Sequence, residues 1–308
     1  MSGATKGSER SRLLLGGEYS GSLEAPAQRY GRHAIRKGGL TLAIARLAAR
    51  LGIPIPPRGN WTVLEAEFEA WRATGRVATL WWRDDDAVSW TPALQRLLSL
   101  ADGTPIALAV VPGPADSELG RLLAGVETVS VLQHGWRHAS HAITEEAESE
   151  LGPERPLRQR LEELATGWDR LLSLFGSRSV PVLVPPWNRI GDDLIPLLPR
   201  VGFRGLSRVG PRRSALAAPG VRQVNIHADL VDWGRCCGFI GEEKALYTVW
   251  RHLRDRRLNR ADPGEPTGIL THHLVMDDAT ERFVRRLILV AHAHGARFLS
   301  IPDLFPAL

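Results

Sequence analysis

Two hydrophobic periods organise the chain. Over residues 62–74 the apolar side chains Val63, Leu64, Phe68 and Trp71 recur at three- and four-residue steps, which predicts a helix that Gly75 ends. A second helix is predicted just upstream, over 40–51, stopped by the breaker Gly52-Ile53-Pro54-Ile55-Pro56-Pro57. From residue 77 onward the pattern changes to short β-rich runs separated by amphipathic stretches. Strands are predicted over 77–82, 106–111, 128–133, 180–184, 205–207, 221–226, 268–271 and 297–300. Helices are predicted over 91–101, 115–124, 156–175, 192–198, 242–256 and 277–294, with Thr91 as an N-cap and Pro92 at the first position of its helix. Strand alternating with helix over this length implies parallel pairing through crossover helices.

Composition narrows the class. With 44% hydrophobic and 24% charged residues among 308, the chain has the balance of a water-soluble globular protein, long enough for one large domain plus a small extension or for two ordinary domains. Its net charge of +5 is local: residues 1–50 hold nine Lys/Arg against three Asp/Glu, so the remainder is slightly acidic. The basic balance therefore gives no case for nucleic-acid binding by the body of the protein, and no recognition motif accompanies it. Residues 1–30, rich in Gly, Ser and charge, are expected to be poorly ordered. The two cysteines, Cys236 and Cys237, are adjacent, which suits neither a disulfide nor a zinc pair, and free buried thiols are expected. No secretory h-region or transmembrane stretch is evident, so a cytoplasmic location is expected. Ten tryptophans stand against three tyrosines; most are expected in the core, although indoles also line sugar clefts.

The chemistry lies where the predicted strands end. Asp84-Asp85-Asp86 follows the strand over 77–82, and His134 follows that over 128–133, with His138 and His141 close behind. Pro185-Pro186-Trp187, then His227 with Asp229, then His272-His273 follow three more strands. In a parallel α/β fold these ends share one face, where active sites are built. Three consecutive carboxylates repel one another, and a divalent cation would relieve them; a solvated acidic turn is the plain alternative. His134 and His138 have the four-residue spacing of a metal-binding pair, and imidazole suits Zn, Co, Ni or Fe. Two histidines plus one aspartate would leave coordination positions open, as in a catalytic centre.

Taken in order, Arg83-Asp84-Asp85-Asp86, His134 to His138, Val184-Pro185-Pro186-Trp187, Asp229-Leu230-Val231-Asp232-Trp233 and Leu270-Thr271-His272 resemble the five motifs of the polysaccharide deacetylases, the NodB-homology or carbohydrate esterase family 4 domain. The resemblance covers about residues 76–306. It implies an α/β fold, a distorted (β/α)7-type barrel of the glycoside hydrolase/deacetylase kind, with residues 1–75 as a basic, partly disordered and helical N-terminal extension and 76–308 as the catalytic domain. It further implies a metal-dependent hydrolase that removes an acyl group, in the first place acetyl, from an amide nitrogen of a sugar or related substrate. Asp86, His134 and His138 would hold the cation, most simply Zn, with Co, Ni or Fe as other occupants. Asp85 would be the general base and His272 the general acid, with Asp232 hydrogen-bonded to His272; the alternative register uses Asp84 and Asp85. Trp187, Pro186, Asn188, Trp233 and His273 would contact substrate. Where the family has an arginine that orients the base, this chain has Val184, and Arg83 or Arg189 would have to supply that charge. The other readings of the same residues are hydrolysis of a different C–N bond in a small metabolite and a non-catalytic carbohydrate-binding scaffold. The expected partner is an acylated sugar or small amide, with a homo-oligomer also compatible.

Overall fold

The computed structural model describes residues 59–142, 148–234 and 237–306. The helix predicted over 40–51 and Cys236 lie outside them. Within them the chain runs α1 (Trp61–Ala73), β1 (Thr79–Ala87), α2 (Pro92–Ala101), β2 (Ile106–Val110), α3 (Ser117–Leu123), β3 (Val129–His134), α4 (Leu157–Phe175), β4 (Ser179–Val184), β5 (Gly205–Leu206), β6 (Leu216–Ala218), β7 (Val221–Gln223), β8 (Ala228–Asp229), β9 (Val231–Asp232), β10 (Gly238–Phe239), α5 (Glu242–Arg257), β11 (Thr267–Thr271), α6 (Asp278–Ala293), β12 (Arg297–Phe298) and α7 (Ile301–Leu304).

The sheet is parallel through β7-β5-β4-β3-β2-β1-β11-β8, and β6 joins β7 antiparallel at one end. One stretch closes this path into a ring. Residues 221–226 pair with the β5 side, through β7 and through the amides of Val224 and Ile226, which donate to the carbonyls of Leu206 and Arg208. The same stretch then changes partner: His227 N–H donates to Gly268 O, and β8 runs beside β11. The strand expected over 221–226 is thus split by a handover between two neighbours, and the result is a distorted seven-stranded parallel barrel.

Alternation of side chains explains what fills it. β2 reads Ile-Ala-Leu-Ala-Val and is buried throughout, as a strand covered on both faces must be. Ala107 and Ala109 face the barrel interior with Trp81, Leu132, Val182, Val184, Val224, Ile226 and Leu270, while Leu108 and Val110 pack under the helices. Ile301, Leu304 and Phe305 join the inner cluster from α7, which plugs the end opposite the strand C-termini. Trp81 crosses the closing seam, its indole Nε1 donating to Asn225 O at 3.0 Å. Gly268 is required beside it, because a Cβ there would lie 2.5 Å from Trp81 Nε1 and 2.6 Å from Asn225 O. Gly268→Ala should therefore destabilise the barrel by about 1–3 kcal/mol, the usual cost of overpacking a filled core, read from the denaturant midpoint. An unchanged midpoint would mean the seam is looser than described.

The local signals explain most element ends. Thr91 caps α2 by accepting from Leu94 N, with Pro92 at the first turn, and Asp277 caps α6 by accepting from Thr280 N. The helix expected over 192–198 is instead a 3₁₀ segment over Ile195–Val201, since Pro196 and Pro199 remove amide donors that an α-helix would use. The last strand is shorter than expected, ending at Phe298, and Ser300 opens α7 with a capping box to Asp303. α1 is part of the barrel's outer layer: Trp61, Leu64, Phe68 and Trp71 join the main core, Trp71 Nε1 donates to Leu253 O, and Glu67 pairs with Arg257. The boundary expected at residue 75 therefore does not separate α1 from the barrel. No helix among the described residues is long and apolar enough to cross a membrane.

Candidate metal centre

β1 does not stop before the carboxylates, as expected from sequence; it runs through them to Ala87. Alternation sends Trp81, Arg83 and Asp85 inward and Trp82 and Asp84 outward. The pairing with β2 then shifts register between Asp84 and Ala87, and Asp86 takes a positive φ of 72°. This irregularity turns Asp86 to the barrel mouth beside Asp85, which simple alternation would forbid.

Each carboxylate finds a different environment, which resolves their repulsion. Asp84 is fully buried behind the strand, accepting from Thr271 Oγ1 at 2.6 Å and facing His273 Nδ1 at 2.5 Å. Asp85 is buried against Arg83, with Nε 2.8 Å from Oδ1 and the terminal NH2 2.9 Å from Oδ2. Asp86 Oδ1 stands 3.2 Å from His134 Nε2 and 3.4 Å from His138 Nε2. Only Asp86, of the three, joins the two histidines.

The histidines are aimed by their surroundings. His134 ends β3, and its Nδ1 lies 2.9 Å from Val184 O, which fixes the proton on Nδ1 and leaves the Nε2 lone pair for the centre. His138 sits at φ 55° on the loop after β3. That loop is held by Glu150, a buried carboxylate that accepts from Trp136 N at 2.9 Å and from Arg137 N at 2.7 Å. Gly135 is needed there, since a Cβ would collide with Glu150 and Pro186. The ring of His138 packs on Trp187 with centroids 4.2 Å apart. Asp86, His138, Trp187 and Asn188 all have positive φ, so four of the seven non-glycine residues in that strained region among the described residues cluster at this mouth. Backbone strain held at one place by surrounding structure is common where geometry serves function.

Charges follow the same arrangement. Burial opposes ionisation of Asp86, but the close approach of His134, with the charges of His138 and His272, outweighs it and holds the carboxyl below its ordinary range. Burial likewise opposes a proton on His134, and Asp85 and Asp86 overcome it, so its pKa is raised. His138 is lowered, by burial first and then by the charge of His134. A divalent cation fits this set: three ligand atoms lie within 4.8 Å of one another, Asp86 Oδ1 is buried without a hydrogen-bond donor, and both imidazoles offer Nε2.

Some expected residues are placed elsewhere. His273 is buried and turned into Asp84, so it is not positioned to touch a substrate. Asp232 does not bond His272; it accepts from Gly234 N at 3.2 Å, and His272 Nδ1 is buried with no hydrogen-bond partner. Asp229 acts nearby instead, accepting from the Trp233 indole at 2.8 Å and holding that ring edge-on to His272 at 4.7 Å. Pro186 is buried under Gly135, and His141 pairs through its backbone N–H with Ser149. The charge facing Asp85 comes from Arg83, two residues away on the same strand; Arg189 instead donates to Glu148 O. Arg83 also donates to Ser207 Oγ at 2.8 Å and Asn188 Oδ1 at 3.0 Å, tying the segments after β5 and β4 to the base position. Glu150 was not singled out from sequence, because a lone Glu in a polar stretch carries no motif. Glu150→Ala should free the His138 loop and weaken cation affinity by about 10–100-fold, as loss of an orienting partner does. Competition against a chromophoric chelator measures it, and affinity equal to wild type would show that the loop holds itself.

A second group, His227, His252 and Glu265, also lies within 4.8 Å, at the opposite side of β11. Here His227 Nδ1 accepts from Gly268 N at 2.9 Å, so its Nε2 must keep the proton and faces Glu265 Oε2 at 3.3 Å. A nitrogen that carries a proton is not a metal ligand, and this group is a buried polar network between α5 and the barrel.

No family model and no curated protein matches the chain. Solved structures that it is similar to include a family 4 acetyl xylan esterase from Clostridium thermocellum in complex with a cobalt ion, 14% identical over 74% of this chain and 90% of that one, TM-score 0.44. A family 4 carbohydrate esterase from Streptomyces lividans in complex with acetate is 15% identical over 75% and 97%, TM-score 0.46. The peptidoglycan deacetylase PdaC from Bacillus subtilis is 16% identical over 74% and 90%, TM-score 0.45.

Proposed function

We propose that this chain is a divergent, metal-dependent deacetylase of the polysaccharide deacetylase kind, which hydrolyses an acylated amino group on a sugar or related substrate. The observation that carries the reading is the convergence of Asp86, His134 and His138 at the same mouth as the Asp85–Arg83 pair and His272. Asp86, His134 and His138 would hold the cation, most simply Zn. A cation bound there supplies Lewis acidity toward the amide carbonyl and makes water a better nucleophile at neutral pH.

The remaining chemistry belongs to side chains. Asp85 takes the proton from the attacking water, and Arg83 fixes the orientation of its carboxylate from both oxygens. Arg83 is a positioning residue in the place that the family gives to an arginine on another motif. His272 carries a proton to the departing nitrogen, which would otherwise leave as an unstable anion. Trp233 braces the face of the mouth that holds His272, and Trp187 braces His138; together they wall the acyl group from bulk water.

The test is acetate release from N-acetylated amino sugars by chain loaded with Zn or Co. Release that stops with a chelator and returns with the cation supports the reading. A chain that binds the cation stoichiometrically yet releases no acyl group from any N-acylated amino sugar or small amide would favour the scaffold reading instead.

A further inference from the structure

Beside the centre, on the same strand ends, lies a cavity of about 540 Å³ whose lining includes Asn188, Asp192, Arg208, Arg212, Arg213 and Asn225. It shares a wall with the mouth: Asn188 lines it and receives the hydrogen bond from Arg83, and Arg208 follows directly on Ser207, which accepts from the same guanidinium. Its volume is in the range of a small-ligand site.

The three arginines differ in employment. Arg212 is buried and consumed by the fold, with Nε 2.8 Å from Asp262 Oδ2 and its NH1 donating to Gln223 O at 2.6 Å. The guanidinium groups of half-buried Arg208 and exposed Arg213 have no hydrogen-bond or ion-pair partner among the described residues, while the Arg208 backbone N–H donates to Asn225 Oδ1. Asp192 is the one carboxylate on the lining; it is exposed, as is Arg213, so solvent screens both, and half-buried Arg208 carries the stronger field. Two free guanidinium groups facing a cavity present forked donors without an acceptor, an arrangement that suits an oxyanion such as phosphate or carboxylate.

We propose that this cavity is a subsite for an anionic group on the substrate, so that the acylated substrate is a phosphate- or carboxylate-bearing one and not a neutral glycan. The assignment of that group to a substrate rests on the deacetylase reading; the oxyanion site itself does not. Arg208 and Arg213 bind the anion, and the wall formed by Asn188, fixed by Arg83, sets its distance from Asp85.

Inorganic phosphate, titrated calorimetrically into the full chain after chelator treatment, tests the site without the cation as a rival ligand. Saturable binding of one phosphate per chain is expected, at least tenfold weaker in Arg208→Gln/Arg213→Gln with unchanged circular dichroism. No saturable binding, or binding indifferent to both substitutions, overturns it. On the loaded protein, acetate release is compared between an N-acetylated amino sugar bearing a phosphate, one bearing a carboxylate, and a neutral glycoside. Preference for one charged partner, lost through a raised KM in the double variant, identifies which anion is used. Equal release from all three overturns the subsite while leaving the deacetylase reading intact. Phosphate binding that needs both arginines without any acyl release leaves the subsite standing and sinks that reading.

Discussion

Asp85→Asn should keep its cation and lose nearly all hydrolysis. The amide has the shape of the carboxylate and its one oxygen can still accept from Arg83, but its NH2 then faces the other guanidinium donor and the Arg83 charge loses its partner, so some stability is lost along with the base. A general base contributes on the order of 10²–10⁴-fold, and a loss of that size in kcat is expected. Cation content should match wild type, because Asp85 is engaged by Arg83 while Asp86 alone stands with His134 and His138. Asp86→Asn should show the reverse, with the cation lost first. If Asp85→Asn empties the centre and Asp86→Asn keeps it, the two roles are exchanged.

The second large effect concerns stability. Arg83 and Asp85 are both fully or almost fully buried, and the guanidinium also serves Ser207 and Asn188. Arg83→Met keeps most of the side chain's bulk and strands a buried carboxylate. Breaking a buried pair from one side costs about 3–5 kcal/mol, so a marked fall in the denaturant midpoint is expected. Arg83→Met/Asp85→Asn should recover part of the loss, since no buried charge is then left alone. A single variant within about 1 kcal/mol of wild type, the range of an ordinary substitution, would mean that water reaches the pair. Arg83→Lys keeps the charge without the fork and should restore stability better than it restores orientation of Asp85.

How much of this was legible in the sequence depended on whether the signal was local. The Thr91 and Asp277 caps, the long α4 and α6, and the buried run of β2 are written in neighbouring residues, and their elements fall within a few positions of expectation. The clustering of polar residues at strand ends located the mouth, because parallel strands put all those ends together. What stayed illegible was set by tertiary pairing. The handover of residues 221–229 from β5 to β11 depends on how the ring closes, not on any residue in that stretch. The three aspartates could not be told apart without the irregularity that turns Asp86 inward and the partners that claim Asp84 and Asp85. Similarly, the resemblance points to Asp232 as the partner of His272, whereas the Trp233 indole makes Asp229 the carboxylate that braces His272's side of the mouth. Trp61, Trp71, Trp81, Trp82 and Trp250 are core residues; of the other five, Trp187 and Trp233 are in ring contact with site histidines.

The most direct test of the centre is elemental mass spectrometry on wild type and His134→Ala, each soaked in Zn and desalted. About one cation per wild-type chain, absent from the variant while its fold is unchanged by circular dichroism, is the predicted result. Equal cation content in both proteins, or none in either, would contradict a centre built from Asp86, His134 and His138.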